Sequence, residues 1–382
     1  MDVVAQARAM APDIAARSGE IEAARRLPAD IARRFAAAGF FRMAVPAAVG
    51  GLEVEPATLF RTIEAVGRAD ASAGWCVMIG ATTGVTAAYL APDEARGLYG
   101  DPLAITGGVF APMGRATVEP DGYRVSGRWQ WASGSANCHW LMGGSVLLDD
   151  GKPRLLPNGM PDARMMIFPA GEATLIDSWH VSGLCGTGSG EMEVQGILVP
   201  RARSVSLMTD RPTASGALYA FPVFGLLALG IAAVMLGNAR GAIDDLVELA
   251  GGKKPQGSRK TLAERATAQV TLAEAEAALR GARAFFYEAV AEAWEKARGD
   301  GEIGVAERAA LRLAATHAAR TAARVTRDMY DLGGGSSVFL ASSLQRRFRD
   351  GHVGTQHLMV SPPTLELAGR VLMGLPTDAT QL

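Results

Sequence analysis

Between Phe110 and Ser189 three stretches gather the side chains best suited to chemistry. They are Phe110-Ala-Pro-Met-Gly114, Ser126-Gly-Arg-Trp-Gln-Trp-Ala-Ser-Gly134 and Asp177-Ser-Trp-His-Val-Ser-Gly-Leu-Cys-Gly-Thr-Gly-Ser189. The last two mix tryptophan, hydroxyl and glycine. A flat heteroaromatic ligand needs that mixture: an aromatic wall for the ring, hydroxyls and backbone N–H groups for its polar edge, and glycines that let the chain come close. A flavin is the obvious candidate. The competing reading makes the tryptophans core and the glycines hairpin turns, and composition alone favours it.

Other catalytic layouts are missing. The chain has no Gly-x-x-x-x-Gly-Lys, no Gly-x-Gly-x-x-Gly between a strand and a helix, no Gly-x-Ser-x-Gly and no His-Glu-x-x-His. Gly333-Gly334-Gly335-Ser336 follows a predicted helix, the wrong context for a dinucleotide turn. Five histidines occur (His139, His180, His317, His352, His357), and only the loose His352/His357 pair approaches ligand spacing, so no metal is expected. Cys76, Cys138 and Cys185 are odd in number and far apart, which fits neither a disulfide framework nor a zinc site.

The elements that must position these residues follow from composition and periodicity. An alanine-rich N-terminal part carries helix-start signals at Pro28-Ala29-Asp30, Pro56-Ala57-Thr58 and Pro92-Asp93-Glu94. A middle part alternates in short runs, such as Trp129-Gln-Trp and Met192-Glu-Val, with turns at Pro120-Asp121-Gly122 and Asp149-Asp150-Gly151. Beyond Pro212 the helical period returns. Thr261 to Arg298 sets Leu272, Leu279 and Phe286 seven apart, a second helix is expected from Val305 to about Leu332, and a third from about Ser343 with a break near Gly351. The expected fold is α+β, mostly α: an N-terminal helical domain (1–102), a central small β-barrel or sandwich (103–208) and a C-terminal four-helix bundle (209–382). Alanine-rich helices bury little surface each, so the bundle is expected to self-associate.

The 382 residues carry 38 basic and 39 acidic side chains, a net charge of −1 that gives no field for nucleic acid or anionic lipid. Met1 to Arg17 lacks the apolar core of a signal peptide, so a cytoplasmic location is expected. No side chain from Pro212 to Ala239 is charged, yet Pro222, Gly216, Gly225 and Gly230 interrupt the stretch. A buried helix is the expected reading, without a membrane.

The order of these parts resembles the acyl-CoA dehydrogenase superfold. The residues that carry the resemblance are Gly39-Phe-Phe-Arg-Met-Ala-Val-Pro46 with Gly50-Gly51, Asp70-Ala-Ser-Ala-Gly-Trp75, the Trp-x-Trp-Ala-Ser-Gly stretch ending in Cys138-His139-Trp140, the Asp177 to Ser189 run with Val199-Pro200, and Leu344-Gln-Arg-Arg-Phe-Arg-Asp350 with His357. Each motif is weak alone, and their joint order is strong. More specifically, the chain looks like the branch of two-component flavin-dependent monooxygenases. Common acyl-CoA dehydrogenases carry a glutamate base several residues after the Arg-Asp pair. Here that stretch reads Arg349-Asp-Gly-His-Val-Gly-Thr-Gln-His-Leu358, with Leu358 in the base's place and His357 beside it.

What the resemblance implies is an oxygenase component that takes reduced FMN or FAD from a separate reductase. It would use O2 through a C4a-hydroperoxyflavin to oxygenate a small, mostly aromatic molecule, as a homotetramer. His357 would take a proton from a phenol or hold the substrate heteroatom, and Ser133 would face flavin N5. Trp131 would flank the ring. Met113, Gly114, Thr187, Gly188 and Ser189 would touch its polar edge or ribityl-phosphate chain, and Arg259, Arg346 and Arg349 its phosphates.

Blander readings stand beside these. Trp131 and Trp140 could be sheet core, Arg347 is expected on a solvated helix face, His317 on a helix surface or packed, and His180 on a strand. His139 could merely orient a hairpin, and His352 divides evenly between site and surface. Relatives often carry a second histidine near Gly80 to Tyr89 and an arginine where Cys185 stands; this chain has neither. The rivals are an acyl-CoA dehydrogenase or related flavin oxidase, and a non-catalytic ligand-binding relative.

Overall fold

The computed structural model describes residues 2–299, 303–380 and 382. Six helices come first: α1 (Val3–Ala16), α2 (Ser18–Ala24), α3 (Ala29–Ala37), α4 (Pro56–Ala69), α5 (Ala71–Thr83) and α6 (Pro92–Tyr99). The proline signals mark real starts. Pro28 is the N-cap of α3, while Pro56 and Pro92 open α4 and α6, where a missing N–H costs nothing. Asp70 ends α4 and caps α5, its carboxylate accepting the Ala73 N–H at 2.8 Å.

Eight strands follow: β1 (Thr106–Glu119), β2 (Gly122–Trp129), β3 (Trp140–Asp149), β4 (Lys152–Pro153), β5 (Ala163–Pro169), β6 (Thr174–Ile176), β7 (Glu191–Pro200) and β8 (Ser204–Val205). They form one mixed sheet in the order β6-β7-β2-β1-β3-β5-β8, with β4 paired to β3 and with β1 and β3 parallel. The sheet stays open, with β6 and β8 at its edges. Of the two forms expected for this part, the closed barrel therefore does not occur. Trp129 is fully buried at the sheet's centre and donates its indole N–H to the Gly144 carbonyl at 2.6 Å. A Cβ on Gly127 or Gly143 would lie 2.7 or 2.5 Å from this ring, and one on Gly114 would also collide with it. These three glycines are the slot that admits the indole. The β1–β3 register slips between Val109 and Gly114, and this irregularity leaves Met113 37% exposed.

Six further helices complete the chain: α7 (Ala217–Ala220), α8 (Val223–Gly252), α9 (Ala266–Arg298), α10 (Val305–Gly333), α11 (Ser343–Gly354) and α12 (Pro363–Leu372). Helix α8 is long and apolar enough to cross a bilayer, but 83% of its most apolar window is buried within the protein. It packs on α4 through glycine: a Cβ on Gly67 would sit 2.9 Å from the Val234 carbonyl oxygen. In α9, Leu279 and Phe286 are buried and Leu272 is half-buried, as the seven-residue spacing implies.

Two expectations fail here for the same reason. Helix α11 runs unbroken through Gly351 to Gly354, because Gly351 lies against α10, where a Cβ would stand 2.7 Å from Thr326 Oγ1. Arg347 is not on a solvated face. It is 9% exposed, ion-paired to Asp245 of α8, and its guanidinium fills the space beside Gly241. In both places a glycine lets a neighbouring helix come close.

Candidate active site

The chain leaves β2 at Trp129 and turns sharply. Trp131 adopts a left-handed backbone (φ 65°) and Gly134 another (φ 72°). Two hydrogen bonds tie this turn to the loop before β7: Ala132 N–H to the Gly190 carbonyl at 2.9 Å and Gly134 N–H to the Thr187 carbonyl at 2.8 Å. The turn throws the Trp131 side chain outward, 57% exposed, and sends Ser133 inward, 5% exposed. The sheet-core reading of Trp131 is thereby overturned; the core tryptophan is Trp129, two residues earlier.

Ser133 meets two hydroxyls from the tied loop. Its Oγ lies 2.6 Å from Ser189 Oγ, and Ser189 Oγ lies 2.6 Å from Thr187 Oγ1. Thr187 Oγ1 donates to the Leu184 carbonyl at 2.8 Å. From the other side Trp75 of α5 donates its indole N–H to Ser133 Oγ at 3.2 Å. The Trp75 ring also meets the imidazole of His357, with centroids 5.9 Å apart and planes tilted by 59°.

His357 caps a short 3-10 turn (Leu358–Val360), its Nδ1 accepting the Met359 N–H at 3.2 Å. Burial, with a smaller contribution from the Arg312 charge, pulls its pKa down to about 4. The ring is therefore neutral at physiological pH. Because Nδ1 accepts, the proton sits on Nε2.

Behind the hydroxyls stands a buried carboxylate. Leu184 adopts a left-handed conformation (φ 52°) and donates its N–H to Asp350 Oδ1 of α11 at 2.6 Å. Burial, reinforced by the charge of buried Asp70, pushes the Asp350 carboxyl up to about 7. The sequence quotes Trp75 and Asp350 within motifs but gives neither a role. A tryptophan inside an apolar helix reads as core, and an aspartate after three arginines reads as an ion-pair partner.

The structure brings Ser133, Thr187 and Ser189 together and sets His357 against Trp75, which donates to Ser133. Gly188 (φ 55°) packs against the Arg25–Arg26 backbone. Gly114 gives its Cα face to Trp129, while Met113 is exposed on the β1 irregularity. Arg346 and Arg349 both pair with Glu22 of α2, and Arg259 is exposed between α8 and α9.

The other aromatic and imidazole positions resolve individually. His352 is exposed and packs on Phe348, with centroids 4.4 Å apart, on a separate groove it shares with His317 and Arg324. His139 accepts the Ile105 N–H at 3.1 Å, a connection between β3 and the start of β1. His180 lies in the loop after β6, not on a strand, with Nδ1 3.3 Å from Arg25 Nη1. Trp140 is half-buried beneath the Arg203 guanidinium, 5.0 Å from its ring centroid. His317 is exposed beside Phe285.

Two family models match: the acyl-CoA dehydrogenase N-terminal domain over residues 3–103 and the acyl-CoA dehydrogenase C-terminal domain over residues 229–362. The chain belongs to the acyl-CoA dehydrogenase family. Indole-3-acetate monooxygenase of Pseudomonas putida is 34% identical over 364 residues, 94% of this chain and 90% of that protein. The protein of the same name from Acinetobacter baumannii is 30% identical over the same shares. The crystal structure of the HsaA monooxygenase from M. tuberculosis superposes with a TM-score of 0.91 at 28% identity, covering 100% of this chain and 99% of that one. Within the family the chain is a flavin-dependent monooxygenase, an oxidoreductase whose cofactor is a reduced flavin.

Among the described residues the charged group that acts on His357 is the Arg312 cation. The buried carboxylates Asp70 and Asp350 are committed to the backbone N–H groups of Ala73 and Leu184.

Proposed function

We propose that this protein is the oxygenase component of a two-component system and acts on a small aromatic molecule bearing an oxygen acceptor, such as a ring hydroxyl. Reduced FMN or FAD comes from a separate reductase. The observation that carries this reading is the imidazole of His357, 5.9 Å from the Trp75 ring that itself donates to buried Ser133, where a desaturase would need a carboxylate. Relatives named for indole-3-acetate and resorcinol support the aromatic class.

The residues present fit a flavin. Trp131 offers an uncovered indole next to Ser133, Met113 stands exposed on the β1 irregularity, and the Ser133–Ser189–Thr187 hydroxyls supply a polar edge in otherwise buried surroundings. When bound, the reduced flavin activates O2 so that one oxygen atom enters the substrate and the other leaves as water.

This chain's own residues do the rest. His357 presents Nε2–H, so it holds an acceptor atom of the substrate and orients the ring; at a pKa of about 4 it is a poor proton acceptor at neutral pH. Trp75 separates that imidazole from Ser133 and keeps water out of the gap. Arg259 is exposed and has no ion pair to break among the described residues, so of the three guanidiniums it is the most available to a phosphate. Arg346 and Arg349 would first have to release Glu22.

Self-association belongs to the same reading. Val338, Phe339 and Leu340 are 60, 67 and 83% exposed, and Leu372 and Met373 are each 78% exposed, an apolar surface that a homotetramer would cover. The central part, 103–208, then serves as the flavin-facing domain, with 1–102 and 209–382 enclosing the substrate, in a cytoplasmic enzyme.

The test is a reaction under 18O2 with a flavin reductase, NADH and a panel of phenols and indoles. One labelled oxygen per product molecule is expected, with no product from reductase alone. Reduction of a dye by an acyl-CoA, with no labelled product from any aromatic, would sink the reading.

A further inference from the structure

The hydroxyl chain beside the candidate flavin edge has a direction. A carbonyl oxygen can only accept, so Thr187 must spend its single proton on the Leu184 carbonyl at 2.8 Å. At 2.6 Å from Ser189 Oγ, Thr187 Oγ1 can then only accept, and Ser189 must donate to it. Ser133 Oγ, 2.6 Å from Ser189 Oγ, must in turn donate to Ser189. One of its two lone pairs already receives the Trp75 indole N–H at 3.2 Å. What remains on Ser133 is one lone pair and no proton.

Leu184, the terminus of this chain, does not hold its conformation unaided. A left-handed backbone is strained for a residue with a branched side chain. Three contacts fix it: Asp350 Oδ1 accepts its N–H at 2.6 Å, and its carbonyl receives both Thr187 Oγ1 and the Trp179 indole N–H at 3.0 Å. Gly183 lets α11 dock directly, since a Cβ there would lie 2.5 Å from the Arg349 carbonyl group.

We propose that the Thr187–Ser189–Ser133 chain makes Ser133 an obligate hydrogen-bond acceptor, selecting a ligand edge that carries an N–H, and that Asp350 is the positioning residue that keeps the chain pointing this way by fixing Leu184. The proposal rests on the reading above, in which the flavin N5 edge faces Ser133. Reduced flavin carries N5–H and satisfies the lone pair. Oxidised flavin offers only a lone pair at N5, and two acceptors facing each other in a buried site lose a hydrogen bond on both sides. Preference for the reduced cofactor is thus set through Ser133 by the direction that Thr187, Ser189 and Asp350 impose on the hydroxyl chain.

The test is anaerobic titration of the whole protein with FMN and FAD, each oxidised and reduced, giving a ratio of dissociation constants that requires no turnover. Wild type is expected to favour the reduced form. Ser189→Ala and Thr187→Val free the Ser133 proton to point at N5, and each should reduce that preference about tenfold, mainly by tightening the oxidised form. Thr187→Ser keeps the donor and should keep the ratio.

Asp350→Asn still offers an oxygen to the Leu184 N–H and should also keep the ratio, whereas Asp350→Leu should lower it. Thermal unfolding and oligomeric state of each variant separate a lost fold from a lost preference, and the Thr187 pair stands if the Asp350 variants do not fold. The proposal fails if Ser133→Ala alters the ratio while Ser189→Ala and Thr187→Val leave it at the wild-type value. If Ser133→Ala changes neither affinity, the placement of the flavin edge is itself wrong, and the proposal falls with it.

Discussion

The indole of Trp75 and the imidazole of His357 stand 5.9 Å apart, centroid to centroid, and the same indole donates to Ser133 Oγ at 3.2 Å. One side chain of α5 thus contacts both the proposed substrate-facing group and the proposed flavin-facing one. Trp75→Phe removes the donor and some ring volume while leaving an aromatic surface. We expect it to fold with a loss of about 1–3 kcal/mol and to couple poorly. Hydrogen peroxide released per product formed, in a reductase-coupled assay, should rise.

His357→Ala should leave oxygen consumption by the reduced flavin near the wild-type rate while product formation falls on the order of 10²-fold, the usual cost of losing an orienting contact. Because the imidazole is neutral well above its pKa of about 4, substrate affinity should show no step near pH 6.5 attributable to this histidine. A step that appears in wild type and vanishes in His357→Ala would contradict the assigned neutral form.

Asp350 and His357 pull the pH dependence of stability in opposite directions. The Asp350 pKa rises from 3.8 to about 7 on folding, so its contribution is present below the lower value and lost as pH rises to the upper one. The His357 pKa falls from 6.5 to about 4, so its contribution is present above 6.5 and lost as pH drops. Each amounts to a slope of about 1.4 kcal/mol per pH unit, and between pH 4 and 6.5 the two cancel. Relative to wild type, Asp350→Asn should therefore gain stability as pH rises from 4 to 7, and His357→Phe should gain as pH falls from 6.5 to 4. Urea unfolding at several pH values reads both differences.

Gly143→Ala places a Cβ 2.5 Å from the fully buried Trp129 ring, which has nowhere to go. A loss of about 1–3 kcal/mol or more is expected. Gly97→Ala in α6 meets nothing within 4 Å and should gain about 0.5–1 kcal/mol. Thermal unfolding of the two variants checks both signs.

Local signals in the sequence carried through to the structure wherever their cause is local. Proline at a first helical turn, the Pro120-Asp121 hairpin and the seven-residue spacing in α9 are settled by neighbours along the chain. Thr187 and Ser189 are legible as a pair because a single glycine separates them in the sequence. Composition alone does not separate Trp129 from Trp131, since the left-handed turn at Trp131 decides which indole enters the core. Arg347 was misread because what buries it, Asp245 beside Gly241, lies on another helix. Trp75, His357 and Asp350 come from α5, the segment after α11, and α11 itself; their meeting is a property of packing that no spacing encodes.

The double grip of Glu22 on Arg346 and Arg349 ties α2 to α11. Two guanidiniums held apart from any counter-charge would repel one another and loosen α11. A carboxylate borrowed from α2 keeps them in place, much as a blank key keeps a lock's pins aligned. Any anion that took these arginines would first have to displace Glu22, and α2 would then lose this tie to α11.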